Sequence, residues 1–330
     1  MNEASYDVLI RDLRKSDLDD LLDVASQSFA EEFEITGFDP DRVKEMVDRM
    51  FGILGKLFLG FSRLLGKEPV KLFVAEADNR VVGMTMVSNR RKVSYIANVM
   101  VHPTHRRRGI ATKLMKSTLN YIRKKKNRAV LHVIATNTPA KNLYTKLGFK
   151  KFENIIYLVG NIDSLLKPKN TAETQVRTFQ KSDINEVYNL IKVSEDPNHL
   201  RIFDFSKNDL KTSLLQRIFH FSAERKIVSM QNDRIVGYAN ASYTTPKEAG
   251  HISNVHVYPE KRSSEIETAL INAAIDQIRQ GGTKRILATV PTRRQELIET
   301  LTNLGFKKYR EMEGMFTEFK PTHHKHILIL

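Results

Sequence analysis

The sequence VHPTHRRRGIATKLM, residues 101–115, decides how the rest of the chain is interpreted. An apolar stretch ends at Val101, an arginine-rich loop with Gly109 follows, and apolar residues then recur at helical spacing from Ile110. A strand, a loop and a helix in this order present the free N–H groups of a helix N-terminus, which bind anions. The arginines add charge-assisted hydrogen bonds to phosphate oxygens, and Gly109 and Ala111 let a ligand approach the backbone. The stretch predicts a diphosphate-binding loop, although a basic loop that only caps a helix would contain the same residues.

Positive charge is concentrated around this loop. The 330-residue chain has a net charge of +15, and residues 79–152 contain 18 basic side chains and no acidic one. Residues 1–78 contain 10 basic and 17 acidic side chains. A block of this kind attracts an anion, which could be a nucleic acid, a phosphorylated cofactor or a membrane surface. A basic face in contact with solvent accounts for the same composition.

The composition excludes several classes of site and location. Because the chain has no cysteine, a disulfide scaffold, a cysteine zinc site and a thiol nucleophile are excluded, and we expect no metal site. No run of 18 apolar residues occurs, so we expect no membrane span. The N-terminal residues lack a basic segment followed by an apolar core, so no signal peptide is expected and the cytoplasm is the predicted location. No sequence feature predicts an oligomeric state.

Four short patterns occur twice in the same order along the chain. The pairs are KSD at 15–17 and 181–183, RVVG at 80–83 and RIVG at 234–237, NVMVHP at 98–103 and NVHVYP at 254–259, and LGFKK at 147–151 and 304–308. Their common order indicates a duplicated domain. We predict a first repeat at 1–160, a linker at 161–173 whose KPKNT stretch at 167–171 is exposed, and a second repeat at 174–330.

Hydrophobic periodicity predicts the elements of the first repeat. We expect strands at 7–13, 70–77, 81–88, 92–101, 129–135 and 149–159, and helices at 43–65, 109–126, 139–147 and from an N-cap at Ser16 to about Phe29. The second repeat shows the same order. Strands interrupted by helices, with one hairpin near residue 79, predict an α/β fold with a mixed sheet.

Two motifs of the first repeat resemble a known enzyme family. Residues Arg106-x-x-Gly109-x-Ala111 resemble the Q/R-x-x-G-x-G/A signature of the GNAT superfamily of N-acetyltransferases. The second motif resembles the N-x-x-A-x-x-L-Y-x-x-x-G-F element of ribosomal-protein-alanine N-acetyltransferases and comprises Asn137, Ala140, Leu143, Tyr144, Gly148 and Phe149. The resemblance covers essentially the whole first repeat. It implies two tandem GNAT-like domains, each with a mixed, mostly antiparallel sheet flanked by helices and a splayed central strand pair.

The resemblance also implies the cofactor and its binding residues. Acetyl-CoA would be the donor, and the acetyl group would pass directly to a primary amine of a small molecule, a peptide N-terminus or a lysine. Backbone groups of Met100 and Val101 would face pantetheine, and Asn137 and Asn142 would contact the CoA arm. The pyrophosphate would be bound by the loop that comprises Arg106, Arg107, Arg108, Gly109, Ile110, Ala111 and Thr112. Tyr144 would protonate the departing thiolate, which is a reasonable task for a phenol placed beside developing charge.

The general base differs from that of the similar alanine acetyltransferases, which have a glutamate twelve residues before the tyrosine. His132 occupies that position here, and residues 79–152 contain no carboxylate that could replace the glutamate. A neutral imidazole can take the proton of an ammonium group, directly or through water. Glu76 and a water molecule are the alternative bases. A purely structural interpretation makes His132 a hydrogen-bonded core residue and Glu76 a surface carboxylate.

The acceptor end of the resembling family lies at its first two helices. That region contains the acidic residues Glu31, Glu32, Glu34, Asp39 and Asp41. They favour a cationic amine, although an acidic loop in solvent is an equally good interpretation. Of the following apolar helix, residues 51–65 could instead lie on a membrane, but packing against the protein is preferred.

The second repeat lacks the chemistry-bearing residues. Alignment of the repeats replaces Gly109 by Glu265, Ala111 by Glu267, Asn137 by Arg294 and Tyr144 by Leu301. Two carboxylates facing a diphosphate would repel it. We therefore expect a GNAT-like second domain without acetyl-CoA chemistry.

A different class of function remains open. The basic run at 123–126, together with Arg128, favours a GNAT-fold protein that binds nucleic acid or an acidic partner without acetyl transfer. The intact arginine loop and Tyr144 favour the enzyme. Aromatic residues do not alternate with the basic run, which argues against single-strand stacking.

Overall fold

The computed structural model describes residues 7–36, 44, 52, 70–89, 93–126, 128–166, 174–211, 222–244, 249–262 and 264–319. The predicted helix at 43–65 falls outside the described residues apart from Lys44 and Gly52, as do Asp39 and Asp41. The side chains of Glu31, Glu32 and Glu34 are outside them as well. The acidic acceptor mouth and the membrane-lying segment therefore stay predictions from the sequence.

The first repeat contains its predicted elements in the predicted order. They are β1 Leu9–Asp12, α1 Leu18–Thr36, β2 Val70–Ala77, β3 Arg80–Asn89, β4 Val93–Val101, α2 Ile110–Arg123, β5 Arg128–Ile134, α3 Thr138–Lys146 and β6 Lys150–Asn161. Ser16 is not the N-cap that the sequence predicted. It lies inside a 3-10 turn at Lys15–Asp17, and the Asp17 carboxylate accepts the Arg14 backbone N–H at 2.6 Å.

The second repeat contains the same series with one additional described helix, α5 Pro197–Phe203. Its elements are β7 Gln175–Thr178, α4 Ile184–Ser194, α5 Pro197–Phe203, β8 Ser222–Gln231, β9 Arg234–Thr244, β10 Ala249–Val257, α6 Ser264–Gln280, β11 Arg285–Pro291, α7 Gln295–Asn303 and β12 Lys307–Glu318. In the described part of the chain, no helix combines the length and the apolar character needed to cross a membrane.

The two repeats exchange their last strands within one continuous sheet. The order of the twelve strands is β1-β2-β3-β4-β5-β12-β6-β11-β10-β9-β8-β7. Strand β12 of the second repeat therefore lies between β5 and β6 of the first, and β6 pairs with β11 of the second. Only β4–β5 and β10–β11 are parallel pairs among these strands, and the sheet is otherwise antiparallel. Each half of the sheet thus contains a strand from the other repeat.

Packing across the join follows this exchange. Ile156 and Leu158 of β6 belong to the core of the second repeat, whereas Met315 of β12 belongs to the core of the first. The beginning of the predicted linker is packed, because Ile162 and Leu165 are buried in the core of the second repeat. Its remainder from residue 167 lies outside the described residues.

Helices cover both faces of the first half of the sheet. Helices α2 and α3 pack on the face that carries Leu131 and Val133 of β5. Helix α1 packs on the opposite face, and α5 of the second repeat joins it there through Ile202, which contacts Val93 and Val130. Because side chains alternate along β5, His132 points to the face that α1 and α5 share.

Candidate active site

Strands β4 and β5 form an open fork. They pair only through Val93–Ile96 and Arg128–Leu131, although β4 continues to Val101 and β5 to Ile134. A β-bulge bends β4 at this point: its register with β3 shifts, and Asn98 has a φ of 51°. Beyond Ile96 the two strands share no ladder, so an extended ligand has room to bond to their facing backbone groups.

The arginine loop lies at the open end of β4. Gly109 has a φ of 73° and precedes the first residue of α2, while Arg107 also has a positive φ of 67°. A Cβ placed on Gly109 would meet no atom within 4 Å, so the space in front of the helix N-terminus is open. Arg106, Arg107 and Arg108 are exposed, and Arg106 Nε donates to the Val101 carbonyl at 3.2 Å. The loop has the open backbone and the positive charge that a diphosphate requires.

The other predicted cofactor residues occupy different environments. Met100 is buried and Val101 half-buried at the end of β4. In the first turn of α2, Ile110 is buried in the core, and Ala111 and Thr112 are half-buried. Asn137 is the N-cap of α3, where its Oδ1 accepts the Ala140 N–H at 3.1 Å. Asn142, further along α3, is exposed.

Tyr144 is held in the core by α3. Its side chain is buried and its ring packs against Phe149 with centroids 5.9 Å apart. Burial raises the pKa of Tyr144 to about 12. The phenol is therefore protonated at neutral pH and is available as a proton donor.

His132 lies at the base of the fork, one residue beyond the last β5 residue that pairs with β4. Its Nδ1 is 3.1 Å from the Tyr95 hydroxyl. Its Nε2 is 3.5 Å from Oε1 of Glu153, a β6 residue whose side chain is 5% exposed. Among the described residues neither of these two facing atoms has a hydrogen-bond partner. Both atoms are buried, and a small movement would join them in a hydrogen bond.

Glu153 reaches His132 across the exchanged strand. Gly314 of β12 lies directly opposite both residues in the sheet register. A Cβ on Gly314 would lie 2.7 Å from Cγ of Glu153, which is closer than such atoms approach. The missing side chain leaves the gap through which the carboxylate extends.

Glu153 is charged at neutral pH. Burial alone would raise the pKa of Glu153, but the imidazoles of His132 and His199 outweigh burial and hold that pKa at about 2. The sequence prediction missed Glu153 because the carboxylate-free block ends one residue before it. The available signal was a single acidic side chain inside the largely apolar run from Phe152 to Val159.

Glu76, the alternative base, has a structural role. It forms an ion pair with Arg11, whose Nη1 also donates to Asp17 at 2.6 Å. In the second repeat, Arg177 and Asp183 form the ion pair that corresponds to Arg11 and Asp17, at 2.7 Å. Glu76 lies on β2, two strands away from the fork. No cluster of histidine and acidic side chains in the described ranges is arranged to hold a metal ion.

The second repeat has the same fork, but its own side chains fill it. Strands β10 and β11 pair only through Ala249–Ile252 and Arg285–Ala288. Arg294, buried at the start of α7, donates from Nη1 to the Val255 carbonyl at 3.0 Å and from Nη2 to Oε1 of Glu267 at 2.6 Å. Glu267 is 1% exposed, and burial raises its pKa even though Arg294 opposes the rise. The sequence predicted that Glu265 and Glu267 would both face a diphosphate. Of the two, Glu265 is exposed, but Glu267 is buried, so the prediction is wrong for Glu267.

The row of residues around His132 is also replaced in the second repeat. Thr289, Tyr157 and Arg310 lie side by side on β11, β6 and β12, in the places that His132, Gly314 and Glu153 occupy in the first half. His251 Nε2 contacts the Thr289 hydroxyl at 2.6 Å, as Tyr95 contacts His132. The geometry is retained, but the imidazole, the gap and the carboxylate are not.

Known proteins resemble this chain along most of its length. The model of the acetyltransferase (GNAT) family matches residues 26–149 and 186–306. An N-alpha-acetyltransferase of Sulfurisphaera tokodaii is 36% identical over 105 residues, which are 28% of this chain and 63% of that protein. An uncharacterized N-acetyltransferase of Methanocaldococcus jannaschii is 30% identical over 152 residues, 44% of this chain and 61% of that protein. The chain thus spans less than two thirds of the length of these two relatives.

The fold as a whole also has a close counterpart. A tandem GNAT protein from the clavulanic acid biosynthesis pathway superposes with a TM-score of 0.64 at 15% identity, covering 96% of this chain and 100% of that one. This similarity confirms the predicted fold class, in which two GNAT domains follow one another.

Proposed function

Because the chain belongs to the GNAT family of acetyltransferases, we propose that its first repeat transfers an acetyl group directly from acetyl-CoA to a primary amine. One observation carries this proposal: the same fork occurs twice, and it is open in the first repeat but filled by Arg294 and Glu267 in the second. The first repeat, predicted at 1–160, would be the catalytic domain. The second, predicted at 174–330 beyond the 161–173 linker, would bind no cofactor.

The residues of the first repeat fit acetyl-CoA. The loop from Arg106 to Thr112 would hold the diphosphate on backbone N–H groups and guanidinium groups, because Gly109 leaves the approach open. The β4 backbone at Met100 and Val101 would bond to the pantetheine arm in the fork. When bound, acetyl-CoA supplies an acetyl group attached to a thiolate leaving group. Asn137 caps α3 and fixes where this helix starts, so it would contribute to the site by positioning α3.

Proton transfer would use both faces of the sheet at the fork. His132 would take the proton of the incoming ammonium group, with Glu153 stabilising the imidazolium that forms. Tyr144, on the other face, would donate its proton to the leaving sulfur. The strands diverge beyond Ile96, and a thioester bound in the fork would lie between these two groups.

The acceptor would be a cationic amine that enters from the face of α1 and α5. Glu153 is charged at neutral pH and attracts a cation toward His132. The relatives named N-alpha-acetyltransferases support a peptide or protein N-terminus as the amine, and the same chemistry serves a lysine or a small amine. The likeness of the first repeat to ribosomal-protein-alanine acetyltransferases points the same way.

Nucleic-acid binding without catalysis receives less support. Arg128, part of the basic segment that favours it, pairs with Glu318 at 2.7 Å and donates to the carbonyl of Arg201. Arg128 therefore anchors the second repeat on the first instead of presenting its charge to a partner.

The function is tested by the release of CoA thiol from acetyl-CoA in the presence of defined amines. We expect release with a peptide that has a free N-terminus or with a polyamine, and none with the same peptide blocked at its N-terminus and free of lysine. Mass spectrometry should find one added acetyl group on the amine. Binding of acetyl-CoA without release for any free amine would contradict the proposed function.

A further inference from the structure

The second repeat contributes a side chain to the proposed base of the first. We propose that His199 is a positioning residue that shares the Glu153 carboxylate with His132 and thereby limits how strongly Glu153 holds a proton on His132. The proposal rests on the function proposed above. It gives the second repeat, which lacks an open fork of its own, a part in the reaction.

Each oxygen of the buried carboxylate faces a different imidazole. Oε2 of Glu153 lies 3.2 Å from Nδ1 of His199, and Oε1 lies 3.5 Å from Nε2 of His132. The His132 and His199 side chains are 16% and 28% exposed, so both are partly accessible while the carboxylate between them is not. A single negative charge is therefore divided between two groups that can each carry a proton.

Helix α5 fixes the place of His199. Asp196 caps the helix, accepting the N–H groups of Asn198 and His199 at 2.8 and 3.1 Å, and Pro197 occupies the first helical position. The helix is anchored on the first half of the sheet by Ile202, which is fully buried against Val93 and Val130. The imidazole is thus held by two repeats at once.

Aromatic packing fixes the orientation of the ring. The His199 ring lies 4.5 Å from the Phe203 ring at an angle of 32°, and 6.2 Å from the ring of Phe152, the residue before Glu153. Phe152 in turn contacts Phe316 of the exchanged strand. These contacts restrict the ring to the orientation in which Nδ1 points to the carboxylate.

The charges around the carboxylate give the sign of the effect. Burial alone would lower the pKa of His199, but Glu153 and Glu195 raise it, and Arg293 opposes the rise. Three further titratable groups of the described residues lie near the cluster. The Tyr95 hydroxyl contacts His132, burial and Glu153 raise the pKa of Tyr157, and His256, which interacts with His199, has its pKa lowered by burial. A proton on His199 neutralises part of the carboxylate charge and repels a second proton on His132. Removal of His199 leaves the whole charge to His132, which then holds its proton more tightly.

The test measures the protonation of His132 in the full chain by NMR titration of its imidazole. With His199→Gln, which retains an N–H donor but no charge, we expect the pKa of His132 to rise by roughly one pH unit. His199→Phe keeps the aromatic packing, loses the donor as well, and should give an equal or larger rise. Asn198→Ala changes an exposed side chain on the same helix without touching Glu153 or the His199 ring and is the control. The low-pH limb of the kcat/KM profile should move upward with the His132 pKa.

The outcomes separate this proposal from the proposed function. An unchanged or lower His132 pKa in both His199 variants would overturn it, as would an equal rise in Asn198→Ala. If the wild-type chain transfers no acetyl group but the titration shifts as expected, the positioning role stands and the proposed function fails. If transfer occurs and the limb does not move in either His199 variant, the positioning role fails alone.

Discussion

Replacement of Tyr144 by phenylalanine is expected to lower kcat by roughly 10²-fold, the usual contribution of a general acid. The affinity for acetyl-CoA should hardly change, because the phenol would act on charge that develops only in the transition state. The residue is buried, and burial keeps its proton in place by raising its pKa to about 12. Steady-state kinetics with a saturating amine gives kcat, and calorimetry gives the affinity.

Tyr121→Phe is the matched control for this prediction. Tyr121 lies on α2, where its hydroxyl accepts a hydrogen bond from Asn89 at 3.0 Å and its ring packs against Phe73. The Tyr121→Phe variant also loses a phenol hydroxyl, but one that lies away from the proposed proton path, so its kcat should equal that of the wild-type chain. A fall of less than threefold for Tyr144→Phe, or a parallel loss of acetyl-CoA affinity, would contradict the assigned role.

Replacement of Arg294 by methionine is expected to lower the free energy of unfolding by about 3–5 kcal/mol, the cost of breaking a buried ion pair. Glu267 is 1% exposed and would lose its cationic partner, and the Val255 carbonyl would lose its donor. Urea unfolding monitored by circular dichroism measures the change. Lys308→Met removes an exposed partner of Glu311 and should cost at most about 1 kcal/mol.

The double variant Arg294→Met with Glu267→Leu separates the charge from the packing. Removal of both partners leaves no isolated charge in the core, so most of the lost stability should return. If the single Arg294 variant costs less than about 1 kcal/mol, the pair does not fill the fork in the way that the structure indicates.

The arginine loop and the tandem arrangement were predictable because their signals are local, whereas the open fork was expected only from the resemblance to the GNAT superfamily. The loop at 106–111 lies between a strand and a helix that periodicity identifies, and the paired patterns mark the duplication. The exchange of β6 and β12 was not predictable. Both strands follow the same LGFKK pattern and have similar apolar content, so either could pair with β5 or with β11.

The residues that surround His132 depend on this exchange. Glu153 and His199 approach it from β6 and α5, and Gly314 creates the gap from a strand 182 residues further along the chain. A sequence pattern contains no record of such contacts. The sequence does not predict the partner of Glu267 for the same reason. Arg294 contacts Glu267 only after α6 and β11 have packed.

Calorimetric titration of the full chain with acetyl-CoA measures whether the first repeat alone binds the cofactor. We predict one binding site per chain, and its loss in the double variant Arg106→Glu, Gly109→Glu, which places two carboxylates in the arginine loop. Glu265→Gln, in the first turn of α6 at the position that corresponds to Gly109, should leave that one site intact. Two sites per chain, or one site that survives the double variant, would show that the arginine loop of the first repeat is not the sole cofactor site.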